Sequence, residues 1–520
     1  MPILELLATG TLLLSSVLQV PPPATDAGQA SQLRGRRDEI LTQERSKLSA
    51  LAERLRVAGR ADDAVEAGPG PKDTPASDGS SRFVPLPEIV PAAPKGLANV
   101  GVGRPGGDAG WRAERESIRS EAARALFDLA DRAAKAPSPS FAFADECLRA
   151  VLERQPDQAE ARRLLGFLPR EGGWATPYAA SMLDRGSVPD STYGWVPADW
   201  VPHLRRGELP TRDLKRWVPA AEADALRRDW SRRWEITTEH FRIFTNVPLN
   251  EAISFGRKLE HLYELFFGIM ADVVDRDRLP LAQRYASPGL KPTLPASKRL
   301  HQVFYFANRE EYARFLAPLQ GPDSRLSLGT YVPRKESRQF GGVSYFFNDV
   351  GGQLDVTSTL YHEASHQILF ETAGPDNYAQ NTGNFWVFEG LGTYFETLQV
   401  EPDGSLRIGG MVGPRIAQAR NRLIGGDEFV PIESLVAMSR VRFQQQPAVF
   451  LHYAESMALT VFLMQADGGR HREGFLDYVR DAYKGRFRGG SGRGLDERIG
   501  LAYPSMNRAF LGYLESRAQP

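Results

Sequence analysis

Two histidines four residues apart, in His362-Glu363-Ala364-Ser365-His366, can serve one metal ion only if the segment is an α-helix, which puts positions i and i+4 on one face. No other feature constrains the fold as much. With both imidazoles aimed at one ion, Glu363 lies about 100° round the helix. From there it would not ligate but would reach a metal-bound water as general base. A catalytic zinc takes three protein ligands and leaves its fourth position to water. The third ligand predicted is Glu389, 23 residues past His366. Trp386, Val387 and Phe388 precede it, and a carboxylate set among large apolar side chains needs a partner, of which a metal is one. Gly390 and Gly392, flanking Leu391, would let this second helix approach the first closely. Glu371 and Glu396 are the competing carboxylates. Glu396, seven positions after Glu389, suits an acceptor for the second N–H of a ligand histidine. Thr357, Ser358 and Thr359 offer N-cap oxygens, and Leu360, Ile368, Leu369 and Phe370 give the motif helix an apolar side to bury.

The HExxH string and the downstream Glu389-Gly-Leu-Gly-Thr-Tyr-Phe-Glu396 resemble the gluzincin metallopeptidases, the thermolysin and aminopeptidase group of the peptidase MA clan, and in particular its uncharacterised bacterial zincin-like domains. The resemblance implies an α+β, zincin-like domain over 236–520, with a mixed sheet, an active-site helix and a C-terminal helical subdomain. It implies one zinc ion per chain held by His362, His366 and Glu389, with Glu363 as base and a peptide or protein as substrate. Gluzincins often carry a Tyr or His donor for the developing oxyanion, and here that place falls to Tyr453 in Leu451-His452-Tyr453, with His452 the alternative. The residues by which exopeptidases bind a substrate amino terminus are not recognisable upstream, so endo- or exopeptidase action stays open. Two other readings stand beside the peptidase: an inactive zincin that uses its cleft for recognition, and a helical interaction scaffold.

Lys and Arg number 64 and Asp and Glu 64, scattered rather than striped, which gives no electrostatic footprint for nucleic acid. The single Cys147 excludes an intrachain disulfide, and its helical, apolar surroundings favour a buried, inert thiol. Residues 1–24 form a Leu-rich run closed by three prolines, a signal peptide or amino-terminal anchor, although no Lys or Arg precedes Arg34 and Glu5 interrupts it. The expectation is export to the periplasm, cell surface or medium, with no membrane contact beyond such an anchor.

At 520 residues the chain exceeds one core. Residues 31–66 have the spacing of amphipathic helix, and 67–110, rich in Pro, Gly, Ser and Ala, has the composition of a disordered linker. Over 111–170, Ala122, Ala123, Leu126 and Leu129 mark one helical face and Cys147, Leu148, Val151 and Leu152 another. Such paired helices resemble tetratricopeptide hairpins, either docking a protein partner or capping the catalytic domain. In 171–235 a Trp recurs beside Gly or Pro at Trp174, Trp195 and Trp217, as in repeated small hairpins. A strand over 234–245, a helix over 249–273 and strands at 303–306 and 342–347 precede the motif helix. The segment 341–347 is the expected peptide-binding edge, and the Pro-rich 279–297 a surface insertion.

Overall fold

A computed structural model describes residues 26–70, 79–91, 110–211, 215–295, 299–320, 327–333, 341–349, 356–373, 383–410, 414–425, 428–487 and 494–516. The expectation of a signal or anchor at 1–24 falls outside them. The architecture is mixed α+β.

A five-stranded sheet forms the frame, in the order Gly329–Val332, Val343–Phe347, His301–Phe306, Phe241–Thr245, Trp234–Thr237. The three middle strands run parallel and both edges are antiparallel. Alternation explains the two faces. Ile243, Val303 and Phe346 bury against the helix Leu249–Met270 and the motif helix, while Phe306, Tyr345 and Phe347 bury on the other side against Tyr312 and Leu316. The run 234–245 is two strands rather than one, because Thr238 and His240 turn the chain back and both bind the Glu260 carboxylate. Val343–Phe347 is not an edge: it is paired on both sides, and the short strand Gly329–Val332 takes the edge instead.

The motif helix, Val356–Ala373, is buried on nearly every side. It is already under way at Val356, so Thr357, Ser358 and Thr359 occupy its first turn rather than its N-cap. Helix Phe385–Phe395 crosses it and is backed in turn by Val449–Gly469. That last segment, whose backbone breaks from helical geometry at Ala466, Asp467 and Gly468, is long and apolar enough by length and composition to cross a membrane, but most of it is buried, as in a core helix. The backing helix comes close at Gly390, where a Cβ would lie 2.6 Å from Thr460 Oγ1.

Upstream, Gly110–Lys135 and Phe141–Arg154 form a helical hairpin whose buried Ala122, Ala123, Ala130 and Ala133 permit tight crossing. Asp26–Val57 lies against it, fixed by the buried Arg154–Glu44 pair at 2.9–3.0 Å. The hairpin also docks on the sheet domain, where Asp272 accepts from the Phe141 amide and Ser140 hydroxyl, and the helix Asp26–Val57 is tied to Glu473 through Arg34. Cys147 is buried, and burial pushes its thiol pKa up.

Three successive antiparallel strand pairs follow, with Trp174, Trp195 and Trp217 each on the second strand of its pair. Each is entered through a left-handed glycine (Gly166, Gly186, Gly207) and followed by a short helix. The 67–110 segment is not wholly linker, since Ser81–Phe83 pairs with Leu406–Ile408 and Ile89–Pro91 with Gly173–Ala175. The Pro-rich insertion is likewise partly core: Leu279, Leu281 and Ala282 pack on the helical hairpin.

Candidate metal centre

The motif helix presents His362 and His366 toward Glu389 of the crossing helix. The Nε2 atoms of the histidines are 3.1 Å apart, and Glu389 Oε2 lies 3.4 Å from His362 and 3.9 Å from His366. Ligands on a tetrahedral zinc with bonds of 2.0–2.1 Å sit about 3.3 Å from one another, so these three atoms stand near the spacing one ion requires. The donor set, two imidazoles and a carboxylate, also suits a zinc that keeps an open position. Gly392 is what lets the crossing helix reach this close: a Cβ there would fall 2.7–2.9 Å from three atoms of the His362 ring.

His362 is oriented by Glu396, whose Oε1 is 2.8 Å from Nδ1, leaving Nε2 to face the site. The other carboxylate oxygen of Glu396 accepts from Arg415 Nε at 2.7 Å. Burial works against charge on the His362 ring, but Glu389 and Glu396 outweigh it and push its pKa up to about 10. Burial likewise opposes ionisation of Glu389, yet His362 and His366 hold it well below the usual carboxylate range. The centre thus favours positive charge between its ring nitrogens and Glu389, the place a cation would take.

Glu363 does not join the three. Its Oε2 accepts from the Tyr331 amide of the edge strand at 2.9 Å, and burial raises its pKa. Tyr453 projects from Val449–Gly469 to within hydrogen-bonding reach of Glu389. Burial, then Glu389, pushes the phenol pKa well above its ordinary value, so the hydroxyl keeps its proton. His452 points elsewhere: buried, its Nδ1 is 2.7 Å from the Phe443 carbonyl. Glu371 lies outside the cluster too, bound to His301 and to the Gly342 amide.

Of the five predicted residues, His362, His366 and Glu389 are brought together with Tyr453 against Glu389, while Glu363 stands beside them with its carboxylate on the Tyr331 amide. Two participants carry no sequence signal, the Tyr331 amide, which is backbone, and Arg415, which lies 19 residues beyond its partner Glu396.

Residues 356–485, from the motif helix past Tyr453, match the model of a family described as "Protein of unknown function (DUF1570)". No curated protein matches the chain.

Proposed function

We propose that the chain is a zinc-dependent peptidase with a zincin-like catalytic domain, exported from the cell. The observation that carries this reading is the convergence of His362, His366 and Glu389 at tetrahedral ligand spacing beside a carboxylate, Glu363, that is not one of the ligands. Zinc bound there would polarise the scissile carbonyl and lower the pKa of the attacking water towards about 7.

The protein groups then divide the proton work. Glu363 takes the proton of the attacking water and passes it to the leaving amine. Tyr453, protonated at neutral pH, donates to the oxyanion as it develops. Glu396 fixes the His362 tautomer. A peptide as substrate is supported by the edge strand Gly329–Val332, which runs beside Glu363 and, among the described residues, pairs with a strand on one side only, so that an extended chain could add along the other. The helical hairpin and the helix Asp26–Val57 against it act in this reading as a cap, tied to the domain through Asp272 and Glu473 respectively.

The test is hydrolysis of a randomised peptide library by zinc-loaded full-length protein and by Glu363→Gln. Cleavage by the parent, with no cleavage by a variant that retains its zinc, is the expected pattern. Equal cleavage by both, or none by the zinc-loaded parent, would overturn the reading.

A further inference from the structure

We propose that Arg415 recognises a carboxylate on the substrate, so that the site acts on peptides carrying a free carboxylate close to the bond that is cut. This rests on the peptidase reading above.

Among the described residues the side chain is hydrogen-bonded at one edge. Arg415 Nε donates to Glu396 Oε2 at 2.7 Å, and the same Glu396 holds His362, which ties the guanidinium to the metal centre through a single carboxylate. The guanidinium also lies over the Tyr453 ring, its Cζ 5.6 Å from the centroid. Tyr453 in turn reaches Glu389, so Arg415 stands on the side of the centre where a substrate carbonyl would meet that phenol. Its two terminal nitrogens have no hydrogen-bond partner among the described residues, and the side chain is 37% exposed.

An arginine with a buried purpose for all its donors would be ordinary. Here, among the described residues, Nε is used and the planar fork of the guanidinium is left open. Two parallel N–H groups beyond a pinned Nε match the two oxygens of a carboxylate, and the fixed ring contact removes most of the ordering cost of forming that pair. Glu396 offsets only part of the guanidinium charge, since it is shared with His362. The carboxylate could be the C-terminus of a peptide or the side chain of an Asp or Glu near the cut, and these share one recognition chemistry.

Two pools of randomised peptides, identical except that one ends in a free carboxylate and the other in an amide, distinguish the sources. Zinc-loaded full-length protein should cleave the free-acid pool about tenfold or more faster, the size of a charge-assisted pair. Arg415→Gln should bring the ratio to within about twofold. Enrichment of Asp or Glu beside the cut in the amide pool, lost in Arg415→Gln, would assign the side-chain source. If Arg415 only steadied Glu396, the substitution would lower zinc content and the cleavage of both pools alike, leaving the ratio unchanged, and the proposal would fall. It would also fall if the parent showed no preference for any carboxylate. Should neither pool be cleaved, the peptidase reading fails, and retention of the same pools on immobilised Glu363→Gln protein decides the role of Arg415. Preferential retention of carboxylates that disappears with Arg415→Gln supports it, and equal retention refutes it.

Discussion

Replacing Gly392 by Ala tests the metal centre without touching a ligand. An ideal Cβ there would lie 2.7, 2.8 and 2.9 Å from Cε1, Nε2 and Nδ1 of His362. Ordinary contacts between such atoms are about 3.5–4.0 Å, so the ring or the helix must retreat by roughly 0.6–1 Å. The ring has little freedom to do so, being buried and bonded through Nδ1 to Glu396. A metal–ligand distance tolerates only about 0.2 Å. Overpacking of this kind typically costs about 1–3 kcal/mol. If that falls on the ligand geometry, zinc affinity should drop roughly 5- to 150-fold. Helix propensity alone argues the other way, because Ala in a helix interior is worth about 0.5–1 kcal/mol over Gly. The assay is competition for zinc with a chromogenic chelator, with thermal unfolding of the metal-free protein alongside. A variant that bound zinc within twofold of the parent and melted higher when metal-free would refute the packing argument.

Three further outcomes follow from the same geometry. Glu396→Ala should weaken zinc binding by about 10–100-fold, with Glu396→Gln less affected because its amide oxygen still accepts from His362, and the same chelator competition checks both. Tyr453→Phe should keep its zinc and lose on the order of a hundredfold in turnover, whereas unchanged turnover would dismiss the phenol as oxyanion donor. Glu455 is buried, with the Val430 amide its one hydrogen-bond partner among the described residues, and burial pushes its pKa up to about 8. A raised carboxylate pKa means that stability is fullest below the unfolded value of 4.5 and falls as pH rises to about 8, by on the order of a few kcal/mol. Glu455→Gln should flatten that dependence and raise Tm at pH 8.5 relative to pH 5, and parallel pH profiles in the two proteins would contradict this.

What the sequence made legible was chemistry carried by local spacing. His362 and His366 are one helical turn apart, and Glu396 follows Glu389 by two turns, so their shared faces could be read directly. Trp386, Val387 and Phe388 announced a buried helix, and the glycines after Glu389 a close crossing, which Gly390 and Gly392 provide. The recurrent tryptophans marked the three strand pairs. Contacts made by backbone, or by residues distant in the chain, left no such trace. The edge strand Gly329–Val332 is four residues long and followed by Pro333, too short for alternation to stand out, so by sequence alone the longer apolar run at 343–347, its partner, reads as the edge. Ser81–Phe83 and Ile89–Pro91 sit in a stretch whose composition resembles a linker, and only strands contributed from Leu406–Ile408 and Gly173–Ala175 order them. Arg415 is one of many arginines on amphipathic helices, and nothing but the fold connects it to Glu396.

The central claim is that His362, His366 and Glu389 form one zinc site. Zinc content per chain, measured on purified full-length protein with His366→Ala and Glu389→Ala in parallel after reconstitution at neutral pH, tests it most directly. About one zinc in the parent and little in either variant is expected. No zinc in the parent, or parental zinc in either variant, would contradict it.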